Sequence, residues 1–157
     1  MKKNSEAPRA SLMRAAMELF AEKGFDGTNV REIAKSAQVN ISAVSYYFAG
    51  KEGLYRACIE DFSKDRVGRA KELLQIPPTL EEYRLRLKIY TNEIFSHQLE
   101  NPHFFKIVSR EIDDGLPVAG EVFKRTLYQT FLTLVAYLKA GQNKNYLKAT
   151  VDTEVLA

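Results

Sequence analysis

The chain has 157 residues, of which 45% are hydrophobic and 27% charged, with eight glycines and five prolines; this is a globular composition with enough apolar material for a sizeable core, and it excludes a disordered or collagen-like chain. The single cysteine, Cys58, cannot form an internal disulfide, no apolar stretch resembles a signal peptide, and no run of about 18 apolar residues is present to span a bilayer, so a cytoplasmic protein without a membrane partner is expected. The net charge of +3 sits in residues 1–56, where nine Lys/Arg stand against six Asp/Glu, and the rest of the chain balances. Such an asymmetry suits a nucleic-acid partner, although uneven surface decoration also produces it.

Apolar residues return at three- and four-residue spacing almost throughout, the period of amphipathic helices. Leu12, Ala15, Ala16, Leu19 and Phe20 predict a first helix over about 8–23, ended by Gly24 as a C-cap. Asn29-Val30-Arg31-Glu32 reads as an N-cap with a reciprocal glutamate, opening a helix of about two turns through Ala37. After the short break Gln38-Val39-Asn40, a second short helix runs from Ile41 to Phe48 with Asn40 as its cap. From Lys51 a stripe of Leu54, Cys58 and Phe62, continuing to Leu74, predicts one helix of about six turns, stopped by Pro77-Pro78.

A second unit opens at Thr79-Leu80-Glu81-Glu82, another capping box, with Tyr83, Leu87, Tyr90 and Ile94 in helical phase. Asn101-Pro102 is an N-cap followed by proline at the first helical position, and Val118–Ala140 reads as one long helix ended by Gly141. Asp152 and Glu154 then mark what looks like the start of another helix just before the sequence stops, so this last part is expected to be incomplete. No segment alternates as a half-buried strand should. The fold class is therefore all-α: an N-terminal three-helix helix-turn-helix unit in residues 1–50, a connecting helix in 51–75, and an antiparallel helical unit in 76–157.

Two short helices joined by a tight turn on a longer support helix are the layout of a helix-turn-helix DNA reader. In the second short helix Ile41, Ser42, Ser45 and Tyr46 fall on the outward side, while Val39, Val44 and Phe48 face the base. Small side chains let a helix approach base edges, and a hydroxyl serves as donor or acceptor. Lys51, at the start of the next helix, can meet a phosphate together with backbone N–H groups.

The ordered run Gly24-Phe25-x-x-Thr28-Asn29-Val30-Arg31-Glu32-Ile33-Ala34-x-x-Ala37-x-Val39, followed by Val44, Tyr46-Tyr47-Phe48, Lys51-Glu52 and Leu54, resembles the N-terminal signature of the TetR (tetracycline-repressor-like) family of bacterial transcriptional regulators. The resemblance implies a DNA-binding domain on a larger helical domain that takes a small-molecule effector and forms a homodimer on a pseudo-palindromic double-stranded operator. It implies that Arg31, Ile41, Ser42, Ser45 and Tyr46 face bases and that Thr28, Tyr47 and Lys51 approach phosphates. Two positions depart from the pattern: Gln38 stands where the turn usually has glycine, and Ser45 where an aromatic is frequent.

In the second unit Tyr83, Tyr90, Phe95, Phe105, Phe123 and Phe131 are candidate walls of an apolar effector pocket, although an aromatic at such a position is more often plain core than ligand wall. Cys58, in phase with Leu54 and Phe62, reads as a buried inert thiol. No phosphate loop, nucleophile elbow, paired cysteines or zinc motif is present, so neither catalysis, a cofactor nor a metal is expected. An enzyme without a recognisable motif and a helical protein–protein adaptor are the rival readings of a ligand-released repressor.

Overall fold

A computed structural model of the chain describes residues 6–156. Among these the regular structure is entirely helical: α1 (Glu6–Gly27), α2 (Val30–Ser36), α3 (Ser42–Phe48), α4 (Lys51–Leu73), α5 (Leu80–Glu100), α6 (Pro102–Asp113), α7 (Gly120–Arg125), α8 (Leu127–Asn143) and α9 (Thr153–Leu156). The all-α class holds. The division of the chain at residue 76 does not describe how it compacts. One compact unit comprises the described residues up to Phe62 together with Asn101–Val122, and the other comprises Ser63–Glu100 with the described residues from Phe123 onward. The helix-turn-helix base is thus completed by α6, which packs along α1.

The first unit is built around α1, α2 and α3, with α4's first half and α6. Helices of seven residues do not persist alone in water, so α2 and α3 depend on burial: Ile33 and Ala34 from α2, and Val44 and Phe48 from α3, are inside. Each such large side chain contributes roughly 1.5–3 kcal/mol, enough to hold two turns of helix that propensity alone does not. Gly24 interrupts α1 with φ 76° and ψ 176°, so helical geometry ends there as its spacing predicts, before one further turn to Gly27. The glycine is required twice over. Its φ is positive, and an added Cβ would lie 3.1 Å from Nη1 of Arg110, which itself donates to the carbonyl of Phe20 at 3.2 Å. Arg110 therefore acts as a tertiary C-cap, a cation beside the last carbonyls of α1's regular stretch.

The second unit centres on an aromatic pair. The rings of Tyr83 (α5) and Tyr137 (α8) stack 4.6 Å apart and 7° from parallel, and Tyr137 Oη donates to the Tyr83 carbonyl at 2.9 Å. Ala70, Leu74, Tyr90, Leu134 and Leu138 close around them. Burial pushes the Tyr137 hydroxyl up to about 12. From the last turn of α8, Gln142 Nε2 donates to the carbonyls of Lys148 and Val151 at 3.1 and 2.7 Å, folding the connection back before Asp152 caps α9 through the N–H of Glu154 at 2.9 Å.

Four local expectations are corrected. The expected single helix over 118–140 is two, because Thr126 adopts φ −122° and ψ −88° with its side chain buried, splitting α7 from α8. Gly141 does not end a helix; it lies buried inside α8, where a side chain would collide with the Tyr83 ring and hydroxyl. Asn101 does not cap α6 through its side chain, although Pro102 does occupy the first turn as expected. Thr79 does cap α5 through the Glu82 N–H, at 3.3 Å, but the Glu82 carboxylate is taken by Arg86 at 2.6 Å rather than by the cap. A guanidinium one turn away offers a charged, two-pronged donor that outcompetes a single N–H.

Gly141→Ala tests the aromatic centre. The substitution keeps helix propensity favourable but forces Tyr83 to move, so urea denaturation should show a loss of about 1–3 kcal/mol. Equal or greater stability than the wild type would contradict the close approach.

Candidate nucleic-acid interface

The geometry of α2 and α3 follows from their caps. Asn29 Oδ1 accepts from the Arg31 N–H at 2.8 Å and opens α2. Glu32 Oε1 and Oε2 each lie 3.1 Å from Lys23 Nζ, and this ion pair, with a smaller contribution from the Asn29 backbone N–H, holds the Glu32 carboxyl below its ordinary range. At the end of α2 the N–H of Gln38 donates to Lys35 and that of Val39 to Ala34, at 3.1 and 3.0 Å, with Gln38 left-handed at φ 57°. This is a Schellman-type close in which the position expected to want glycine carries a glutamine. Asn40 Oδ1 then accepts from both the N–H and the hydroxyl of Ser42, at 2.9 and 2.8 Å, so Asn40 starts α3 as its sequence suggests. Ala49, left-handed at φ 57°, ends it.

This frame leaves Arg31, Ile41, Ser42, Ser45 and Tyr46 on the surface. Tyr46 is 80% exposed, whereas Phe48 two positions on is 7% exposed. The Tyr46 ring is braced edge-on by Tyr47 at 4.8 Å.

The three expected phosphate residues separate. Lys51 Nζ stands 4.4 Å over the Phe25 ring and 3.4 Å from the Asp26 carbonyl, a cation–π seat that orders the ammonium while leaving it accessible. Tyr47 is half-buried beside Tyr46. Thr28 is the correction: it is 2% exposed, and its hydroxyl donates inward to the carbonyls of Gly24 and Leu19, at 2.6 and 3.1 Å. It ties the end of α1 to the start of α2, and its side chain has no free reach toward a phosphate.

The pocket candidates divide as well. Tyr83, Tyr90 and Phe123 are buried in the second unit, Phe131 is half-buried there, and Phe95 is 64% exposed and no part of an interior wall. Phe105 belongs to the first unit, against Phe104. Tyr83 Oη is buried and has no hydrogen-bond partner among the described residues. Cys58 is buried as its phase suggests; its thiol donates to the Met13 carbonyl at 3.6 Å, and burial pushes its pKa up to about 12.

A group absent from the sequence reading is central to the first unit. Glu111 on α6 is 3% exposed, and its carboxylate accepts from Tyr55 Oη at 2.9 Å and from the N–H groups of Val118 and Ala119 at 2.8 and 2.6 Å. Arg56 Nε meanwhile donates to the Val118 carbonyl at 2.8 Å. Burial, and after it the hydrogen bond to Glu111, raises the Tyr55 hydroxyl far above its ordinary value, so it stays a donor. The signal was present: Glu111 falls in phase with the buried Phe104 and Ile107, where a carboxylate needs partners.

Comparison with known proteins agrees with this arrangement. The pattern of the family described as "Bacterial regulatory proteins, tetR family" matches residues 12–58. The chain is 37% identical over 138 residues to "Probable HTH-type transcriptional regulator YttP" of Bacillus subtilis, covering 85% of this chain and 64% of that protein. It is 25% identical to "HTH-type transcriptional repressor NicS" of Pseudomonas putida, covering 92% of this chain and 68% of that one. In fold it is similar to the transcriptional regulator FadR of Bacillus subtilis, solved in complex with stearoyl-CoA, with a TM-score of 0.73 at 20% identity, covering 93% of this chain and 77% of that chain. The chain thus spans just under two thirds of YttP.

The left-handed Gln38 supplies a test of the turn. A non-glycine residue in this region costs about 1–2 kcal/mol, part of which glycine returns as chain entropy. Gln38→Gly should raise stability by about 0.5–1 kcal/mol in urea denaturation, and an unchanged or lower stability would argue against a left-handed turn.

Proposed function

We propose that this chain, whose residues 12–58 match the pattern of the tetR family of bacterial regulatory proteins, is a sequence-specific DNA-binding transcriptional regulator, a repressor released by a small apolar effector. The observation that carries the reading is the polarity of α3: Val44 and Phe48 anchor it while Ile41, Ser42, Ser45 and Tyr46 stand outside on a helix short enough to enter a major groove. Arg31, exposed on the neighbouring helix α2, is the remaining base-facing candidate. Lys51 and Tyr47 meet the backbone, supplying register and salt-dependent affinity. Two copies would present two such helices to half-sites about 34–36 Å apart, on an operator in the bacterial cytoplasm.

Repression rather than activation is supported by the name of the related NicS protein. An apolar effector is supported by the aromatic interior of the second unit, where Tyr83, Tyr90, Phe123 and Phe131 are the wall candidates. The unpartnered Tyr83 hydroxyl would give such a ligand one polar contact. The fold neighbour solved with stearoyl-CoA makes a long-chain acyl compound a sensible first probe. Release requires the effector to favour the weakly binding state by about 1–3 kcal/mol.

Operator duplexes selected from random sequence by the full chain provide the test. Lys51→Ala should weaken binding to a similar degree on all duplexes and lower the slope of log affinity against log salt by about one. Tyr46→Ala should instead change which bases are tolerated. Unaltered slope in the first variant removes Lys51 from the interface, an unaltered preference profile in the second removes Tyr46 from base reading, and the recovery of no preferred duplex defeats the DNA-binding reading.

A further inference from the structure

The contacts of Glu111 form a continuous series through the first unit. The carboxylate holds the Tyr55 hydroxyl at 2.9 Å, the Tyr55 ring meets Phe25 edge-on at 5.1 Å, and the Phe25 face carries the Lys51 ammonium at 4.4 Å. Tyr55 lies one helical turn beyond Lys51 on α4, so the two share a face. Phe20 also meets the Tyr55 ring edge-on, at 4.9 Å, and stacks with Phe25 at 6.1 Å, so the three rings form one cluster. We propose that Glu111 and Tyr55 are positioning residues for DNA binding: the buried carboxylate sets the Tyr55 ring, the ring sets Phe25, and Phe25 seats the Lys51 ammonium for its phosphate. The proposal rests on the DNA-binding reading given above.

Its physical basis is that each link has a narrow optimum. A buried carboxylate needs its donors, and losing one leaves an acceptor unsatisfied, so it re-seats whatever it still holds. An edge-to-face contact falls off as the ring tilts, and a cation–π seat weakens as the ammonium leaves the ring face. The same carboxylate binds the N–H groups of Val118 and Ala119, immediately before α7. A change in the 116–120 connection therefore acts on Glu111 directly, and through it on the lysine. Arg110, the preceding residue, fixes α6 against α1 through the Phe20 carbonyl, giving the series a rigid base.

Tyr55→Phe keeps the ring and removes only the bond to Glu111. Glu111→Gln keeps the volume and removes the charge, and it serves as the second variant should the first fold poorly, which circular dichroism would reveal. Operator affinity is measured on the highest-affinity duplex selected by the wild type, for each variant alone and combined with Lys51→Ala. Either variant alone should lose about 3- to 10-fold in affinity, and less than about 2-fold when Lys51 is already alanine. The Lys51 ε-methylene resonance, which senses the Phe25 ring current, should shift in the variants without DNA present. Equal loss in both backgrounds, or an unmoved Lys51 resonance, overturns the positioning role while leaving DNA binding intact. Failure of the wild type to bind any selected duplex overturns the DNA-binding reading, and an unmoved resonance would then overturn the series separately.

Discussion

A carboxylate withdrawn from water costs several kcal/mol unless donors replace the solvent, and the first unit of this protein is organised around one. Glu111 is satisfied by a phenol from α4 and by two backbone N–H groups from the connection before α7. Those donors come from positions 56 residues behind it and seven and eight ahead of it, so the bond network can close only when α6 lies against the helix-turn-helix base. The discontinuity of the compact unit, with Asn101–Val122 joined to the N-terminal helices, is the expected outcome of that requirement.

The exposed face of α2 and α3 inherits its order from the same packing. Neither α2 nor α3 is long enough to be stable alone, and their caps at Asn29 and Asn40 supply only about 1 kcal/mol each. Burial of Ile33, Val44 and Phe48 does most of the work of holding them. The aromatic trio of Phe20, Phe25 and Tyr55 then joins the support helix to the start of α4. Thr28 contributes from inside, bonding to the end of α1. Tyr46 is thereby left exposed at a fixed place, and the Lys51 ammonium is seated on the Phe25 ring.

The second unit uses aromatic residues differently. Tyr83 and Tyr137 stack face to face with Gly141 packed against the Tyr83 ring and hydroxyl. Those tyrosines are structural first, and any effector role proposed for them must displace or extend an ordered stack. Phe95 shows the opposite outcome: an aromatic in an aromatic-rich helix that faces solvent. Aromatic content alone did not distinguish wall, core and surface, because all three are filled by the same residue types.

The sequence by itself determined the features that depend on neighbours in the chain. Helical period identified the all-α class and the outward side of α3; the Asn29, Asn40 and Asp152 caps and the break at Gly24 follow from local backbone chemistry, and the ordered signature over residues 24–54 pointed to the family. Tertiary structure decided what depends on distant partners. Thr28 turned inward because the carbonyls of Leu19 and Gly24 offered its hydroxyl acceptors. Glu82 turned to Arg86, Gly141 made room for Tyr83, and the segment over 118–140 broke at Thr126. Glu111 is the clearest case: its helical phase marked it as buried, but its meaning lay in donors that come together only in the folded chain, since hydrogen bonds and ring contacts are selected by distance in space and helical period records only distance along the sequence.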